Sequence, residues 1–122
     1  MNEKQKGEIM EIVVNGEVFV KKVNPTKIKI VRSYAAGVFF GEVISEKHEV
    51  SGLVVEMKNA RRVWKWVGAA SLSQMAQSGV SKPDECKFPE PVDKVILMNV
   101  VEILDVTESA SKILSAVPVW KM

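Results

Sequence analysis

The chain has almost none of the side chains on which most acid–base, metal and covalent catalysis depends. Its 122 residues include one cysteine, Cys86, and one histidine, His48. A single thiol excludes an intramolecular disulfide, and one Cys with one His excludes a metal site built on several such ligands. A Cys–His nucleophile pair would have to be this one pair, and one free thiol fits a reducing compartment. Charge of one sign is also lacking. Seventeen Lys+Arg against fifteen Asp+Glu leave +2 at pH 7, too little for the electrostatic footprint of a duplex nucleic-acid binder. No apolar run approaches the ~20 residues of a membrane span, and the N-terminus has none long enough for a signal peptide. Walker and Rossmann glycine patterns, HExxH and GxSxG are all missing. These absences predict a soluble, cytoplasmic protein that is not an enzyme and carries no cofactor or metal.

With 47% hydrophobic and 26% charged residues, the composition predicts one globular domain over residues 1–122, with residues 1–8 flexible. Asn15-Gly16 between short apolar runs predicts a tight hairpin. Alternation over residues 27–34 predicts a strand with Ile28, Ile30, Arg32 and Tyr34 on one face. Residues 38–44 read as its returning partner, and SEKHEVSG as a polar loop that carries an exposed His48. Residues 53–58 and 62–67 read as two strands separated at Asn59-Ala60 by a turn or bulge.

The period changes after Gly68. Leu72, Met75 and Ala76 fall at helical spacing, so a short helix is expected over residues 71–78, stopped by Gly79. Residues 81–91 hold three prolines and predict an irregular excursion over the surface, with Cys86 in a half-buried packing role. Residues 94–106 read as a strand apolar on both faces, either central or at an interface. Thr107 is the expected N-cap of a closing helix over residues 108–115, and Pro118 its stop. The expected class is mainly β (α+β): a small antiparallel sheet or partly closed barrel with two short helices.

The block with chemistry to offer is KNARRVWKWVGAASLS, residues 58–73. On a strand over residues 62–67, Arg62, Trp64 and Trp66 would share one face. Indoles stack on bases for ~1–3 kcal/mol each, arginine forks match phosphate oxygens, and a small-residue helix start offers free N–H groups to an anion. The competing structural reading makes Trp64 and Trp66 a core stripe, and pairs Arg61 and Arg62 with surface carboxylates.

Three segments, IVRSYAAGVFFG, NARRVWKWVGAASLSQMAQSGVSKPDECKFPEP and VILMNVVEILDVTESASKI, resemble a family of small phage and prophage proteins catalogued as a domain of unknown function. Such proteins carry N-A-R-R-x-W-x-W-x-G-A-A-S-L-S-Q followed by G-x-S-K-P-x-x-C-K-F-P. Ser33, Ala36 and Asp105 depart from the family pattern, but no arginine or tryptophan is lost. The resemblance implies a phage origin and no particular activity.

Within that setting the expectation is a non-enzymatic sponge in the cytoplasm of an infected bacterial host. It would hold a cyclic nucleotide second messenger of an antiphage system such as CBASS or Thoeris. Trp64 or Trp66, with Tyr34 or Phe39, would stack on bases; Arg32, Arg61 and Arg62 would bind phosphates; Ser71 or Ser73 would add hydroxyl contacts. The two-sided apolar strand would make a homo-oligomer. The alternative is an interaction protein that binds a host or phage protein or a nucleic acid, or a minor virion component.

Overall fold

The computed structural model describes the short strands Ile12–Val14 (β1) and Glu17–Phe19 (β2) and residues 27–122. β1 and β2 pair antiparallel in the register Val14↔Glu17. The expected turn at Asn15-Gly16 and the flexible lead-in over residues 1–8 lie outside the described residues.

Four longer strands follow: β3 (Ile28–Ser33), β4 (Gly37–Glu49), β5 (Gly52–Arg62) and β6 (Val92–Asp105). They pair antiparallel in the order β3-β4-β5-β6, and β6 returns to β3 to close the ring. The closure is partial. β3 pairs with β4 only as far as Ile28↔Glu42 and with β6 from Lys29↔Asp105 to Ser33↔Val100. The far ends of β4 and β5 therefore extend past β3 as a long hairpin, paired out to Glu49↔Gly52.

This hairpin corrects the expectation of a loop at SEKHEVSG. Every residue from Ile44 to Glu49 is exposed, so the segment is polar because its ladder stands in water. β5 is likewise one strand where two were expected. Asn59 takes a left-handed φ of 49° and absorbs an extra residue as a bulge between Phe40↔Arg61 and Glu42↔Lys58. Gly41 lies opposite, where a Cβ would come within 2.8 Å of Ala60 Cα, so only glycine lets the two backbones meet there. No strand runs over residues 62–67. β5 ends at Arg62, and the chain continues extended with one isolated bridge, Lys65↔Lys87.

Strand alternation creates two cores, one inside the ring and one outside it. Val31, Phe39, Val43, Val55, Met57, Ala60, Leu97 and Val100 fill the interior. Ile30, Phe40 and Val63 face outward and are covered by α1 (Leu72–Ser78), α2 (Glu108–Ser115) and the segments around Phe88 and Val117. The second helix starts as predicted, and the first starts one residue later than expected, with Ser71 as its cap. Ser71 Oγ accepts from Gln74 N–H, and Thr107 Oγ1 accepts from Ala110 N–H while donating to Gln77 O at 2.8 Å. Gly79 ends α1 with φ 78° and donates its N–H to Met75 O.

The proline-rich stretch is irregular, with one 3-10 turn at Pro83–Glu85, but it does not simply cross the surface. Phe88 is 0% exposed and Cys86 is buried, so the excursion supplies part of the outer core. Prolines remove ladder donors without preventing burial of the side chains between them.

Candidate functional site

The predicted site residues separate into those consumed by folding and those left at the surface. Arg61 is consumed. Its guanidinium is buried and donates to Phe88 O at 3.0 Å, Leu114 O at 3.3 Å, and Pro89 O and Pro118 O at 3.4 Å. It also lies 5.3 Å from the Phe88 ring centroid. It makes no ion pair among the described residues, and burial pushes its pKa down from the usual arginine value. The carbonyls of the proline-rich segment, of the end of α2 and of Pro118 are its acceptors, so Arg61 fastens the C-terminal segment to β5 with four of its five N–H groups and is buried away from a phosphate in solution.

Four others have structural partners. Arg32 Nε donates to Glu102 Oε1 at 2.9 Å across β3 and β6. Phe39 is buried inside the ring and cannot stack on a base. Trp66 packs half-buried against the outer core, and its Nε1–H donates to Ala69 O at 3.2 Å. Ser71 is the helix cap, and Gln74 Oε1 accepts from Ala70 N–H at 2.9 Å. The start of α1 therefore spends the Ala70 and Gln74 N–H groups on its own side chains. The partners of Arg61 and Arg32 lie 27 to 70 residues away, so the sequence could not reveal their roles, whereas the Ser71 cap is a local signal three residues from its partner.

Arg62, Tyr34 and Trp64 remain, with Ser73 exposed on α1. Arg62 Nη1 donates to Ala36 O at 2.6 Å, and its guanidinium stacks 4.4 Å from the Phe39 ring centroid. These contacts hold it beside the β3–β4 turn. Its Nε and Nη2 have no protein acceptor among the described residues, and it makes no ion pair there. Tyr34, in the same turn, is 80% exposed, and Trp64 is 64% exposed beyond the buried Val63. The result is a positioned guanidinium anchored to the turn that carries exposed Tyr34, two residues before exposed Trp64 in the chain. Such a surface can supply charge-assisted hydrogen bonds and planar stacking.

Other chemistry is sparse. Among the described residues no group of three or more His, Cys, Asp or Glu side chains could hold a metal ion, and no helix is long and apolar enough to cross a membrane. Cys86 Sγ accepts from Val67 N–H at 3.3 Å and approaches Lys82 O at 3.5 Å, which makes it a packing thiol between two loops. His48 is exposed on β4 opposite Leu53.

Fold and surface together define a small antiparallel β-ring with a two-helix cover and an open cation–aromatic face. The chain belongs to the DUF6948 family, described as a domain of unknown function, whose model matches residues 26–114. No curated protein matches the chain, and no solved structure does.

Proposed function

We propose that this chain is a phage-encoded, non-enzymatic binding protein that sequesters a cyclic nucleotide second messenger of host antiphage immunity in the bacterial cytoplasm. The phage setting comes from the sequence resemblance; the ligand class comes from the surface chemistry. One observation carries the reading: Arg62 is held in place by Ala36 O and the Phe39 ring, yet its Nε and Nη2 have no acceptor among the described residues, while Tyr34 in the β3–β4 turn and Trp64, two residues on in the chain, are exposed. A fixed guanidinium loses less side-chain entropy on gripping a phosphate, and exposed aromatics can cover a base. Ser73 lies exposed on α1 as a further hydroxyl.

The test is calorimetric titration with a panel of cyclic di- and trinucleotides. Arg62→Ala should abolish binding while costing about 1 kcal/mol or less of stability, the worth of an exposed cation–π contact and one hydrogen bond. Trp64→Ala should weaken binding at least tenfold and leave the melting temperature nearly unchanged, because its ring is mostly in water. No binding across the panel would refute the ligand class; ligand recovered in cleaved form would make the protein an enzyme.

A homo-oligomer is part of the proposal. β6 leaves Ile96, Met98 and Val101 each at least half exposed, an apolar face that a second copy would cover. Ile96→Glu with Met98→Glu should convert the oligomer to a monomer, read by light scattering, without loss of circular-dichroism signal. The same face supports the second reading, an interaction protein or minor virion component. A wild-type protein that is monomeric and captures one host or phage protein through β6 would favour it.

A further inference from the structure

A second site follows from a pair of lysines that only the tertiary structure brings together. Lys65 N–H donates to Lys87 O at 3.3 Å, and Lys87 N–H donates to Lys65 O at 2.8 Å. This reciprocal exchange defines an antiparallel hydrogen-bonded pair, in which the Cα atoms lie about 5.5 Å apart and both side chains leave on the same face. Like charges set directly opposite each other destabilise a strand pair. Elsewhere the molecule avoids that cost: Lys58 and Lys94 are also cross-strand partners, but Lys94 Nζ is neutralised by Glu56 at 3.2 Å. Neither Lys65 nor Lys87 makes an ion pair among the described residues, although Glu85 and Glu90 flank Lys87 in sequence.

Trp120 completes the arrangement. Its N–H donates to Phe88 O at 3.0 Å, a parallel bridge joins Phe88 to Val119, and Lys87 Nζ stands 5.1 Å from the indole centroid. The indole face thus fixes one ammonium, while Lys65 remains exposed and free to swing beside it.

We propose that Lys65 and Lys87, backed by Trp120, bind a dianionic phosphate group of a small molecule. Two ammonium groups on one face match two negative charges, and the anion relieves the repulsion built into the bridge. The site does not use the Tyr34, Arg62 or Trp64 side chains, although Trp64 N–H also donates to Lys87 O at 3.1 Å; substitution of Lys65 and Lys87 tests it separately from the Arg62 surface. Trp120 lies beyond residues 26–114, the part of the chain matched by the family model, so the complete site reaches outside that match.

The experiment is an NMR titration of the full chain with inorganic phosphate, pyrophosphate and adenosine monophosphate at constant ionic strength, with sodium chloride as control. Saturable shifts are expected at the Lys65 and Lys87 amides and at the Trp120 indole. Lys65→Gln and Lys87→Gln should each weaken binding at least tenfold and leave the melting temperature unchanged or higher, since a repulsion is removed. Tighter binding of the nucleotide than of inorganic phosphate would assign the ligand as a phosphate ester; equal affinity would assign free phosphate. No saturable shift beyond the chloride control, or affinity unaltered by both substitutions, would overturn the site. Shifts confined to the Tyr34 and Trp64 side chains and Arg62 Nε would overturn it too, while leaving the Arg62 reading intact.

Discussion

Arg61→Ala is expected to destabilise the protein by about 3 kcal/mol and to lower its melting temperature by roughly 10 °C. The guanidinium reaches four carbonyl groups that belong to three parts of the chain: the proline-rich segment, the end of α2 and the segment after it. Hydrogen bonds to a charged donor are worth ~1.5–3 kcal/mol each when well formed; the 3.0 Å bond to Phe88 O meets that description, and the three longer ones add less. Two terms reduce the total. Phe88 O also accepts from Trp120 N–H and Leu114 O from Val117 N–H, so neither is orphaned by the substitution. Removing a desolvated cation also recovers part of its burial cost. Arg61→Lys should restore less than half of the loss, because one ammonium cannot span acceptors that a planar fork reaches in several directions. Urea unfolding at fixed pH measures both variants against the wild type, with an unchanged m-value expected for a loss confined to the native state.

Phe88→Ala is expected to cost about 3–5 kcal/mol, the range for an aromatic ring removed from a close-packed interior. Phe88 is among the largest fully buried side chains and belongs to the core between the ring and the helices. Its backbone carries further duties. The carbonyl accepts from both Arg61 and Trp120, and the residue bridges to Val119. A cavity here should therefore loosen the last segment as well as the core, visible as lost amide-exchange protection at Trp120 before global unfolding. Arg61 lies over this ring, so the double variant Arg61→Ala/Phe88→Ala should cost less than the sum of the single ones, with a coupling of about 0.5–2 kcal/mol.

The exposed surface responds in the opposite manner. Arg61 and Arg62 are adjacent in sequence and lie on opposite faces of β5, so one is a fastening inside the molecule and its neighbour a free donor at the rim. Substitution of Arg61 should be read in stability, and substitution of Arg62 in binding. A paired-arginine motif does not disclose that division. Both residues have the same chemistry, and only the position of β5 against the C-terminal segment assigns their roles.

Much of the architecture was legible in the residues because it depends on local rules. Thr107 caps α2 through a contact three residues away, and Gly79 closes α1 because a left-handed φ there suits glycine. Alternation in residues 27–34 placed Ile30 and Val31 on opposite faces, and the structure puts them in the two separate cores. The two-sided apolar character of β6 also has its counterpart: Leu97 and Val100 are buried, while Ile96 and Met98 are exposed.

Where the expectations missed, the deciding contacts were distant. A polar run looks the same whether it is a loop or an exposed ladder, and β4 extends to Glu49 because β5 is available to pair with it. Asn59-Ala60, expected as a turn or a bulge, is a bulge inside one continuous strand, because Gly41 leaves room for the backbone opposite. Trp64 and Trp66 parted company when β5 ended at Arg62, leaving one indole mostly in water and the other against the outer core.

By itself, then, the sequence determined the mainly β class, the helix limits and the scarcity of catalytic groups, all of which follow from composition, period and capping chemistry within a few residues. The tertiary structure alone decided which arginine is buried, which aromatics reach solvent, and that Lys65 meets Lys87 beside Trp120. Those outcomes depend on strand pairing and packing across tens of residues, where the energy of one side chain is set by partners that its own neighbourhood in the chain does not contain.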